Sequence, residues 1–447
     1  MDNLNILHYS FGLPPKATGG LPLYVKDLSD AQKQLGYKVS ILLPKQQLYG
    51  KDRICKKGDI YYLENSLPIA SIFGMKKPID YMRPYSKLVI EKFLDKLKPT
   101  VIHIHSFMGL PKEFLEVAKS KNIKLVYTTH DAYGLCLKCN FIDSMGYACL
   151  HPNPSKCAKC NFNNGLSTKM SYFIGTDFYK AMKKNRVIHL LKSKYRDDKV
   201  EEGLATSIPE IDVSSKQIND YADLLKYYNL MFSMIDKFHF NSELTKETYI
   251  AYLPNIKGKV VPITLASIQD HRSERNRTIG EILTIGYIGR KEPYKGIDLL
   301  IDALTKLHQE NIKFECLLYG DDFSKYDLIL DGQVKNMGTY KNSEIKSVFD
   351  SMDLLVVPSI WKETFGFVGL EALSYGVPVL MSENVGCKDL LINKDRIFKA
   401  NASDLFNKLI TMVNDKNLLS RDSQISTNKL FSIQYHANEI MKSIYNK

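Results

Sequence analysis

Two glutamates eight positions apart stand in the segment with the clearest capacity for chemistry. Glu363 and Glu371 lie in the stretch PSIWKETFGFVGLEALSYGVPVL, residues 358–380, with Phe365-Gly366 between them. The pattern predicts a turn at Gly366 that leads into a helix, whose first backbone N–H groups would be open to a phosphate or a developing anion. On the loop, Glu363 could reach sugar hydroxyls. Glu371, two turns into the helix, could accept hydrogen bonds from a pair of ribose hydroxyls.

Two cations with a fixed spacing form a second group that could act on phosphate. Arg290 directly follows the apolar run ILTIGYIG, which begins at Ile282, and Lys295-Gly296 comes five residues later. Arg offers a planar fork of donors and Lys a point charge, so together they could neutralise a diphosphate as it gains charge. A solvated turn with two cations is the alternative. The carboxyl end of a strand, where open α/β sheets bind ligands, favours the phosphate role.

Glycines and histidines supply the candidate residues of the N-terminal half. Gly19-Gly20 opens the first predicted helix and would let the backbone approach phosphates, although the pattern is not the GxGxxG of dinucleotide-binding folds. His130 ends the predicted strand KLVYTTH, and His105 ends the strand before it. We favour a functional role for His130 because strand carboxyl ends line ligand clefts. His105 fits a strand-end histidine whose hydrogen bonds are satisfied within the fold.

The elements that must position these residues follow the order of an α/β fold. An apolar run at 5–10, a Gly- and Pro-rich loop, a helical pattern that stops at Gly36 and a run at 38–43 make a βαβ opening, which right-handed crossover places in a parallel sheet. Strands at 101–105 and 124–130 flank a helix of about ten residues that begins near Pro111. The pattern restarts at Ile282 with the helix IDLLIDALTKLH, a helix at 342–352 and strands at 314–319, 353–358 and 377–381.

The length of 447 residues predicts two large α/β domains, because a single hydrophobic core rarely serves a chain of that size. We predict an N-terminal domain at 1–268 and a C-terminal domain at 279–425, joined by a polar linker at 269–278. An insertion at about 131–235 is too long for a plain loop and carries a cysteine cluster at 136–160. A C-terminal helix is predicted at 426–447, where it could cross back to the N-terminal domain.

The motifs together resemble the retaining glycosyltransferases of family 4, which have the GT-B fold. The resemblance rests on Glu363, seven residues and Glu371, with Pro-Ser, an aromatic residue, Phe365-Gly366 and Gly-Val-Pro-Val in register. Arg290, four residues and Lys295-Gly296 form a second, independent match. The resemblance implies two facing Rossmann-like domains with parallel sheets, here with a Cys-rich helical insertion in the first.

The same resemblance implies a reaction and roles for the residues. A hexose-type sugar would pass from a nucleotide diphosphate sugar to a saccharide acceptor, expected to be lipid-linked, in surface polysaccharide synthesis. The departing diphosphate would take the acceptor's proton, Arg290 and Lys295 would stabilise it, and no metal would be needed. Glu363 and His130 would contact the transferred sugar, and the donor would also contact Glu371, the Gly19-Gly20 loop and the Phe365-Gly366 turn.

Five of the eight cysteines fall within 25 residues, in CLKCNFIDSMGYACLHPNPSKCAKC. Two CxxC pairs in a chain without a recognisable signal peptide favour a structural zinc site over disulfides. An iron–sulfur cluster uses the same ligands, and redox-paired thiols are the alternative without metal. Some members of the resembled family carry four cysteines in positions that correspond to Cys136, Cys149, Cys157 and Cys160. Cys139 departs from that pattern and is an alternative ligand.

The formal charge of +12 favours polyanionic partners, and the chain shows no secretory signal or apolar run long enough to span a bilayer. We therefore expect a cytoplasmic protein, peripheral at the inner face of the plasma membrane if the basic stretch at 179–196 binds anionic lipid. A solvated helix face is the alternative there. The rival functions are a nucleotide-sugar epimerase, a phosphorylase and a zinc-bearing nucleic-acid-binding protein. The last lacks a recognised finger spacing and an RNA-recognition aromatic motif, so we expect no nucleic-acid partner.

Overall fold

The computed structural model describes residues 4–47, 50–70, 74–143, 146, 148–149, 151–162, 165, 167–175, 212–275, 278–416, 418–419 and 428–446. These residues form two compact units. The first comprises Met1–His239, Tyr252–Lys259 and Ile440–Lys447, and the second comprises Phe240–Ala251 and Val260–Glu439. Both units are therefore discontinuous in sequence, and residues 240–251 and 260–268 group with the second. The basic stretch at 179–196 lies outside the described residues.

An eight-stranded sheet is the centre of the first unit, with the strand order β3-β4-β2-β1-β5-β6-β7-β8. The strands are β1 (Asn5–Tyr9), β2 (Lys38–Lys45), β3 (Arg53–Lys57), β4 (Ile60–Glu64), β5 (Val101–Ile104), β6 (Lys124–Thr128), β7 (Lys237–Phe240) and β8 (Gly258–Val260). Strands β1, β2, β4, β5, β6 and β7 pair in parallel, and β3 is antiparallel to β4. The parallel strands that the apolar runs at 5–10, 38–43, 101–105 and 124–130 predicted are confirmed.

The helices of the first unit follow the strands of this sheet. They are α1 (Gly20–Gln34), α2 (Lys87–Leu97), α3 (Lys112–Ser120), α4 (Pro154–Phe162), α5 (Thr168–Gly175) and α6 (Ser215–Ser233). Helix α1 buries Tyr24, Val25 and Leu28, whose spacing of three to four residues forms one apolar face. Helices α4, α5 and α6 lie between β6 and β7, in the part of the predicted insertion that is described.

The second unit is built on a six-stranded sheet with the order β11-β10-β9-β12-β13-β14. The strands are β9 (Leu283–Ile288), β10 (Phe314–Tyr319), β11 (Val334–Gly338), β12 (Leu354–Val357), β13 (Val379–Ser382) and β14 (Ile397–Phe398), and every paired neighbour is parallel. Its helices are α7 (Glu243–Tyr252), α8 (Ile297–Gln309), α9 (Ile345–Asp350), α10 (Phe367–Ser374), α11 (Ala402–Asn414) and α12 (Ile433–Ile440). The predicted α/β class with two parallel-sheet domains is confirmed.

Several elements differ from their predicted bounds. The helix expected at 342–352 is a 3-10 turn at Asn342–Glu344 followed by the short α9. Helix α10 begins at Phe367, so Glu371 lies one turn into the helix rather than two. Strands β5 and β6 end at Ile104 and Thr128, which leaves His105 and His130 just beyond the strand ends. After α12, the chain ends in a π-helical turn, Met441–Tyr445, that packs into the first unit.

Candidate functional site

Loops at the carboxyl ends of neighbouring strands hold the predicted donor residues of the second unit. Arg290 and Lys295 follow β9, and Glu363 follows β12, which lies beside β9 in the sheet. Parallel strands bring these loops to one edge, as open α/β sheets do at their ligand sites. Glu363 is held there by its backbone, whose N–H donates to Asn384 and whose carbonyl accepts from Gly386.

Lys295 and Glu363 form an ion pair at this edge. Lys295 Nζ lies 2.8 Å from Glu363 Oε1, and the Ser359 hydroxyl donates to Oε2 at 2.6 Å. Burial by itself raises the pKa of the Glu363 carboxyl, but the Lys295 charge and the hydrogen bonds from Lys295 and Ser359 outweigh it, so the pKa lies below its usual range. Glu363 is therefore ionised at neutral pH, with each oxygen fixed in direction.

The Lys295 side chain also packs against an aromatic ring. Its ammonium lies 5.0 Å from the centre of the Trp361 ring, which in turn contacts Tyr294 with ring centres 5.2 Å apart. The Tyr294 carbonyl accepts hydrogen bonds from the backbone N–H groups of Ile360 and Trp361, so it ties the loop after β9 to the loop after β12. The cation and the carboxylate are thus positioned by one continuous set of contacts.

Two glycines are required by the close approach of these loops. Gly296, with φ 80°, caps α8, and a Cβ there would lie 1.9 Å from the Pro358 carbonyl oxygen. Gly366, with φ 88°, caps α10, and a Cβ there would lie 2.8 Å from Val385. Both positions demand the left-handed conformation that glycine adopts at little cost. Phe365, beside Gly366, is buried and stacks edge to face with Phe367.

Arg290 and Glu371 differ from the ion pair because the described part of the chain gives their charged groups no hydrogen bond and no salt bridge, although the Glu371 charge raises the pKa of Tyr340 and Tyr375. Arg290 is exposed, and only its carbonyl is bound, by the Tyr287 hydroxyl at 2.9 Å. Glu371 is partly buried, and its carbonyl, not its carboxylate, accepts from Ser374. Burial raises the pKa of the Glu371 carboxyl to about 7. Both groups could therefore form hydrogen bonds with a ligand without breaking one to the described residues.

The predicted residues of the first unit lie at the carboxyl edge of its sheet. Gly19 precedes α1 with φ 115°, and a Cβ there would meet nothing within 4 Å. His130 follows β6 and is partly buried, and its ring contacts Tyr24 of α1 edge to face, with centres 4.8 Å apart. His130 Nε2 lies 3.2 Å from His105 Nδ1. His105 is thus a satisfied histidine, as the sequence predicted, and its partner is His130 itself.

A layer of histidines continues from His130 through the first sheet. His8, His103, His105 and His239 are fully buried on β1, β5 and β7 or just beyond them, and β6 lies between β5 and β7. His8 Nδ1 lies 2.9 Å from His105 Nε2, and His8 Nε2 lies 2.8 Å from Gln32 Oε1 of α1. On the other side, His103 contacts the Tyr445 hydroxyl at 2.7 Å and the Thr128 hydroxyl at 2.6 Å, and Thr128 contacts His239 at 2.8 Å.

Four of the clustered cysteines share an electrostatic environment. Burial raises the pKa of Cys149 and of Cys160, the latter to about 11, and the charge of Cys136 adds to both shifts. Burial also raises the pKa of Cys157, and the charges of Cys136, Cys160 and Cys149 raise it further. The pKa of Cys139 is raised by burial and then by the charges of Asp131 and Cys136. Within the described residues, no three of these sulfurs lie within 4.8 Å of one another.

Sequence reasoning missed the residues that support the predicted ones. Ser359 belonged to the quoted Pro-Ser signature without a role, and it binds Glu363. Gln32 and His8 belonged to predicted elements but were given no functional role. Their side chains extend the series of hydrogen bonds that starts at His105. Histidines at alternate positions on several predicted strands were a usable signal.

The described helices include none with the length and hydropathy needed to cross a bilayer.

Two family models match the chain, one in each half. Residues 18–148 match Glycosyltransferase Family 4, and residues 270–429 match Glycosyl transferases group 1. Together the matched regions cover more than half of the chain. They contain the Gly19-Gly20 loop, His130, Arg290 and both glutamates.

Curated relatives match shorter segments. An uncharacterized glycosyltransferase of Methanocaldococcus jannaschii is 33% identical over 24% of this chain and 28% of its own length. A capsular polysaccharide biosynthesis glycosyltransferase, CapM of Staphylococcus aureus, is 24% identical over 46% of this chain and 57% of its own. An uncharacterized protein in the cps region of Klebsiella pneumoniae is 31% identical over 24% of this chain and 30% of its own. The chain therefore spans less than two thirds of these relatives.

Solved structures match over the whole length. HepE of Anabaena in complex with UDP superposes with a TM-score of 0.56 at 15% identity, covering 99% of this chain and 100% of that one. A glycosyltransferase of Rickettsia africae gives 0.55 at 15% identity, covering 99% and 98%. Sucrose-phosphate synthase of Thermosynechococcus elongatus gives 0.52 at 15% identity, covering 98% and 94%. At this identity the likeness shows a shared fold.

Proposed function

Because the chain belongs to the family 4 glycosyltransferases of the GT-B fold, we propose that it transfers a hexose-type sugar from a nucleoside diphosphate donor to a saccharide acceptor, with retention of configuration. One observation carries the proposal. An ionised carboxylate, oriented by Lys295 and Ser359, lies at the same sheet edge as Arg290 and Glu371, whose charged groups have no hydrogen bond or ion pair in the described residues.

In this proposal Lys295 and Arg290 bind the diphosphate. Glu363 holds the Lys295 side chain before the donor binds, so little further side-chain entropy is lost on binding. Arg290, exposed and unengaged, supplies the bidentate fork that suits phosphate oxygens. The two cations stabilise the leaving group most when its charge develops, which lowers the barrier rather than merely tightening donor binding.

Glu363 and Glu371 bind opposite ends of the donor. Glu363 accepts hydrogen bonds from hydroxyls of the transferred sugar with its ionised, oriented oxygens. Glu371 accepts from a pair of ribose hydroxyls, which is supported by its position one turn into α10 and by the absence of a hydrogen bond or ion pair to its carboxylate in the described residues. Gly366 lets the backbone of this turn approach the donor because it carries no side chain.

The remaining step is proton transfer from the acceptor. With the incoming hydroxyl on the same face as the departing diphosphate, a diphosphate oxygen takes the acceptor's proton as the new C–O bond forms and the old one breaks. The Gly19-Gly20 loop and His130 of the first unit contact the diphosphate and the transferred sugar. The chemistry of this step uses no metal.

The relatives support a particular class of donor and pathway. HepE of Anabaena was crystallised with UDP, with UDP and glucose, and with UDP-glucose, which supports a uridine diphosphate sugar as donor. CapM acts in capsular polysaccharide biosynthesis, and the Klebsiella relative lies in a cps region, which supports a surface polysaccharide acceptor, with a lipid-linked saccharide as its form.

Membrane association would follow from a lipid-linked acceptor. The stretch at 179–196 carries seven Lys or Arg residues among Val, Ile and Leu, a composition that binds anionic bilayers. Sedimentation with anionic and with neutral liposomes tests it. Cosedimentation with the anionic liposomes alone supports the proposal, and equal recovery in the supernatant with both contradicts it.

We further propose a structural zinc ion held by Cys136, Cys149, Cys157 and Cys160. The charge of Cys136 raises the pKa of the other three thiols in a partly buried cluster, and four thiols are a soft donor set of the number that zinc takes. Because no three of these sulfurs lie within 4.8 Å of one another in the described residues, binding would require the thiols to move closer together. When bound, the ion would fix the loop that follows His130.

A two-stage assay tests the main proposal. Thermal-shift screening against uridine, guanosine and adenosine diphosphate sugars should reveal a donor that raises the melting temperature, since a ligand of the folded state stabilises it. Transfer of radiolabelled sugar from that donor to a lipid-linked saccharide should follow, with an α-linked product from an α-linked donor. Conversion of the donor to an isomer without transfer would indicate an epimerase, and sugar 1-phosphate formation would indicate a phosphorylase; either overturns the proposal.

A further inference from the structure

The histidine layer of the first sheet is built as a chain of hydrogen bonds that begins at Gln32. From the Gln32 carbonyl oxygen it runs to His8 Nε2 at 2.8 Å, from His8 Nδ1 to His105 Nε2 at 2.9 Å, and from His105 Nδ1 to His130 Nε2 at 3.2 Å. Strand alternation places these rings on one face, since His8 pairs in register with His103 and His105 lies two residues further along.

Each inner ring of the chain must donate with one nitrogen and accept with the other. Burial lowers the pKa of His8 to about 4, and it lowers the pKa of His105 well below the ordinary value, helped by the neighbouring histidines. Both rings are therefore neutral at physiological pH, and a neutral imidazole has one N–H and one lone pair. The direction of the first hydrogen bond, between Gln32 and His8, therefore fixes the direction of the two that follow it.

Gln32 sets that direction through its other contacts. Its amide nitrogen lies 3.9 Å from the Met441 sulfur, which can only accept, and 3.3 Å from the Tyr445 hydroxyl. The NH2 group therefore faces the C-terminal turn, and the carbonyl oxygen faces His8. Since an amide oxygen can only accept, His8 carries its proton on Nε2, and so in turn do His105 and His130.

We propose that Gln32 is a positioning residue that, acting through His8 and His105, sets which ring nitrogen of His130 carries the proton, so that His130 donates from Nε2 to His105. The tautomer is derived from the first unit alone. The effect on sugar transfer rests on the proposed function. A reversed amide would reverse the chain and turn Nδ1 into a donor.

The C-terminal turn contributes the anchor for this amide. Tyr445 accepts from Gln32, and its own hydroxyl proton is then available to His103 Nδ1 at 2.7 Å. This second branch leads through Thr128 to His239 and does not include His105 or His130. Thr128 of this branch therefore offers a matched control, because removal of its hydroxyl leaves the contacts of Gln32, His8, His105 and His130 in place.

Nitrogen-15 spectra of the full-length protein with labelled histidine test the tautomer directly. Long-range proton–nitrogen correlations distinguish a protonated from an unprotonated ring nitrogen, and the signals lost in His130→Gln identify His130. We expect His130 to show its proton on Nε2. A proton on Nδ1 of the neutral ring in the unsubstituted protein would overturn the proposal without any variant.

The variants then test the role of Gln32. In Gln32→Met, which removes both amide contacts and keeps the side-chain length, His130 should populate both tautomers. The kcat of transfer should fall about tenfold, with donor KM within about twofold. Thr128→Val should leave the His130 spectrum and kcat unchanged. If Gln32→Met does not fold, His8→Phe cuts the same branch. An unchanged His130 spectrum in the folded variant, or an equal change in Thr128→Val, overturns the proposal.

Two further outcomes separate this inference from its alternatives. The ligand atoms of His8, His103 and His105 lie within 4.8 Å of one another, so metal analysis accompanies the spectra. A stoichiometric metal that is lost in His8→Phe would overturn the proposal, because a coordinated nitrogen cannot carry the proton. If no donor sugar is transferred but the tautomers respond as expected, the proposed function fails and the role of Gln32 in setting the tautomer stands.

Discussion

The two sheets place polar groups at the same kind of edge, but the groups differ in charge. In the first unit, neutral histidines are linked ring to ring, and His8, His103 and His105 are 0% exposed. In the second unit, Lys295 and Glu363 form a charged pair whose side chains remain 24% and 16% exposed. A neutral ring can be fully buried once its hydrogen bonds are made, whereas a charge is costly to bury even when it is paired.

The difference indicates a division of work between the units. Charges act through the field that they create, so they belong where the leaving group becomes more negative. A neutral hydrogen-bond chain creates little field, but it fixes which atom donates and which accepts. We therefore expect charge-removing substitutions in the second unit to change the rate most. Substitutions in the first unit that leave its histidine layer intact should change it least.

Glu363→Gln should have the largest effect. The substitution keeps the shape and removes the charge, so sugar hydroxyls lose an ionised acceptor and Lys295 loses its partner. We expect the transfer rate to fall at least about 100-fold, while nucleoside diphosphate affinity changes by less than about threefold. Initial rates and calorimetric titration measure the two quantities.

Glu315→Gln is the matched control for Glu363→Gln. Glu315 also pairs with a lysine, Lys335, but their side chains are 34% and 48% exposed and Glu315 lies near the amino end of β10, whereas the candidate site lies at the carboxyl ends of the strands, and such pairs contribute little. Its transfer rate should be unchanged. Loss of nucleoside diphosphate binding in Glu363→Gln would instead assign Glu363 to the nucleotide and not to the sugar.

Lys295→Met should have the second-largest effect. Loss of the cation removes stabilisation of the departing diphosphate, so kcat at saturating donor should fall at least about tenfold, or ~1.4 kcal/mol. Lys346→Met, which removes a lysine paired with Asp350 on α9, is the control. An unchanged kcat in Lys295→Met would rule out its role at the leaving group.

Lys295→Met should also change the pH dependence of stability. In the unsubstituted protein the pKa of Glu363 is depressed, so its contribution to stability is present above the ordinary carboxyl pKa and is lost as pH falls through the depressed value. Without Lys295, burial raises that pKa instead. Stability of the variant should then increase as pH falls from neutral toward 5, and thermal melts across this range measure the reversal.

The sequence predicted those parts of the fold that depend on local apolar runs. Phe314–Tyr319 is the predicted strand with its predicted bounds, because five of its six residues, all except Glu315, are buried apolar residues. Strands β3 and β4 were missed, since RICKK and IYYLE are half-exposed and their pattern is weak. Their antiparallel pairing at the sheet edge needs less apolar surface than a central parallel strand.

The site residues were predictable by type, but their partners were not. Arg290, Lys295 and the two glutamates could be found from spacing, because each loop follows a strand end. The contact of Lys295 with Glu363 joins residues 68 positions apart and depends on β9 and β12 being neighbours. The link from Gln32 to His130 likewise depends on β1 lying beside β5, an order that the succession of strands along the chain does not specify.

A smaller effect is expected from pH at Glu371. Its pKa is raised to about 7 by burial, so the carboxylate that would accept from ribose is only half ionised at neutral pH. The affinity for a nucleoside diphosphate should rise a few-fold from pH 6 to pH 8. Glu371→Gln should remove the part of this pH dependence that comes from ionisation of the protein. Titration of both proteins with the same nucleoside diphosphate cancels the ionisation of the ligand. Equal slopes would contradict the role of Glu371.

The smallest effect is expected from Cys139→Ser, which tests the first unit's other cluster. The charge of Cys136 raises the pKa of all four other cysteines in the cluster, but Cys139 is not among the charges that act on Cys149, Cys157 or Cys160. Cys139→Ser should therefore keep the bound zinc, the transfer rate and the melting temperature. Cys157→Ser should lose the metal and melt at a lower temperature, because a metal bound only by the folded chain stabilises it. Metal analysis of anaerobically purified protein distinguishes the two variants. Loss of zinc in Cys139→Ser would make Cys139 a ligand, and its retention in Cys157→Ser would exclude Cys157.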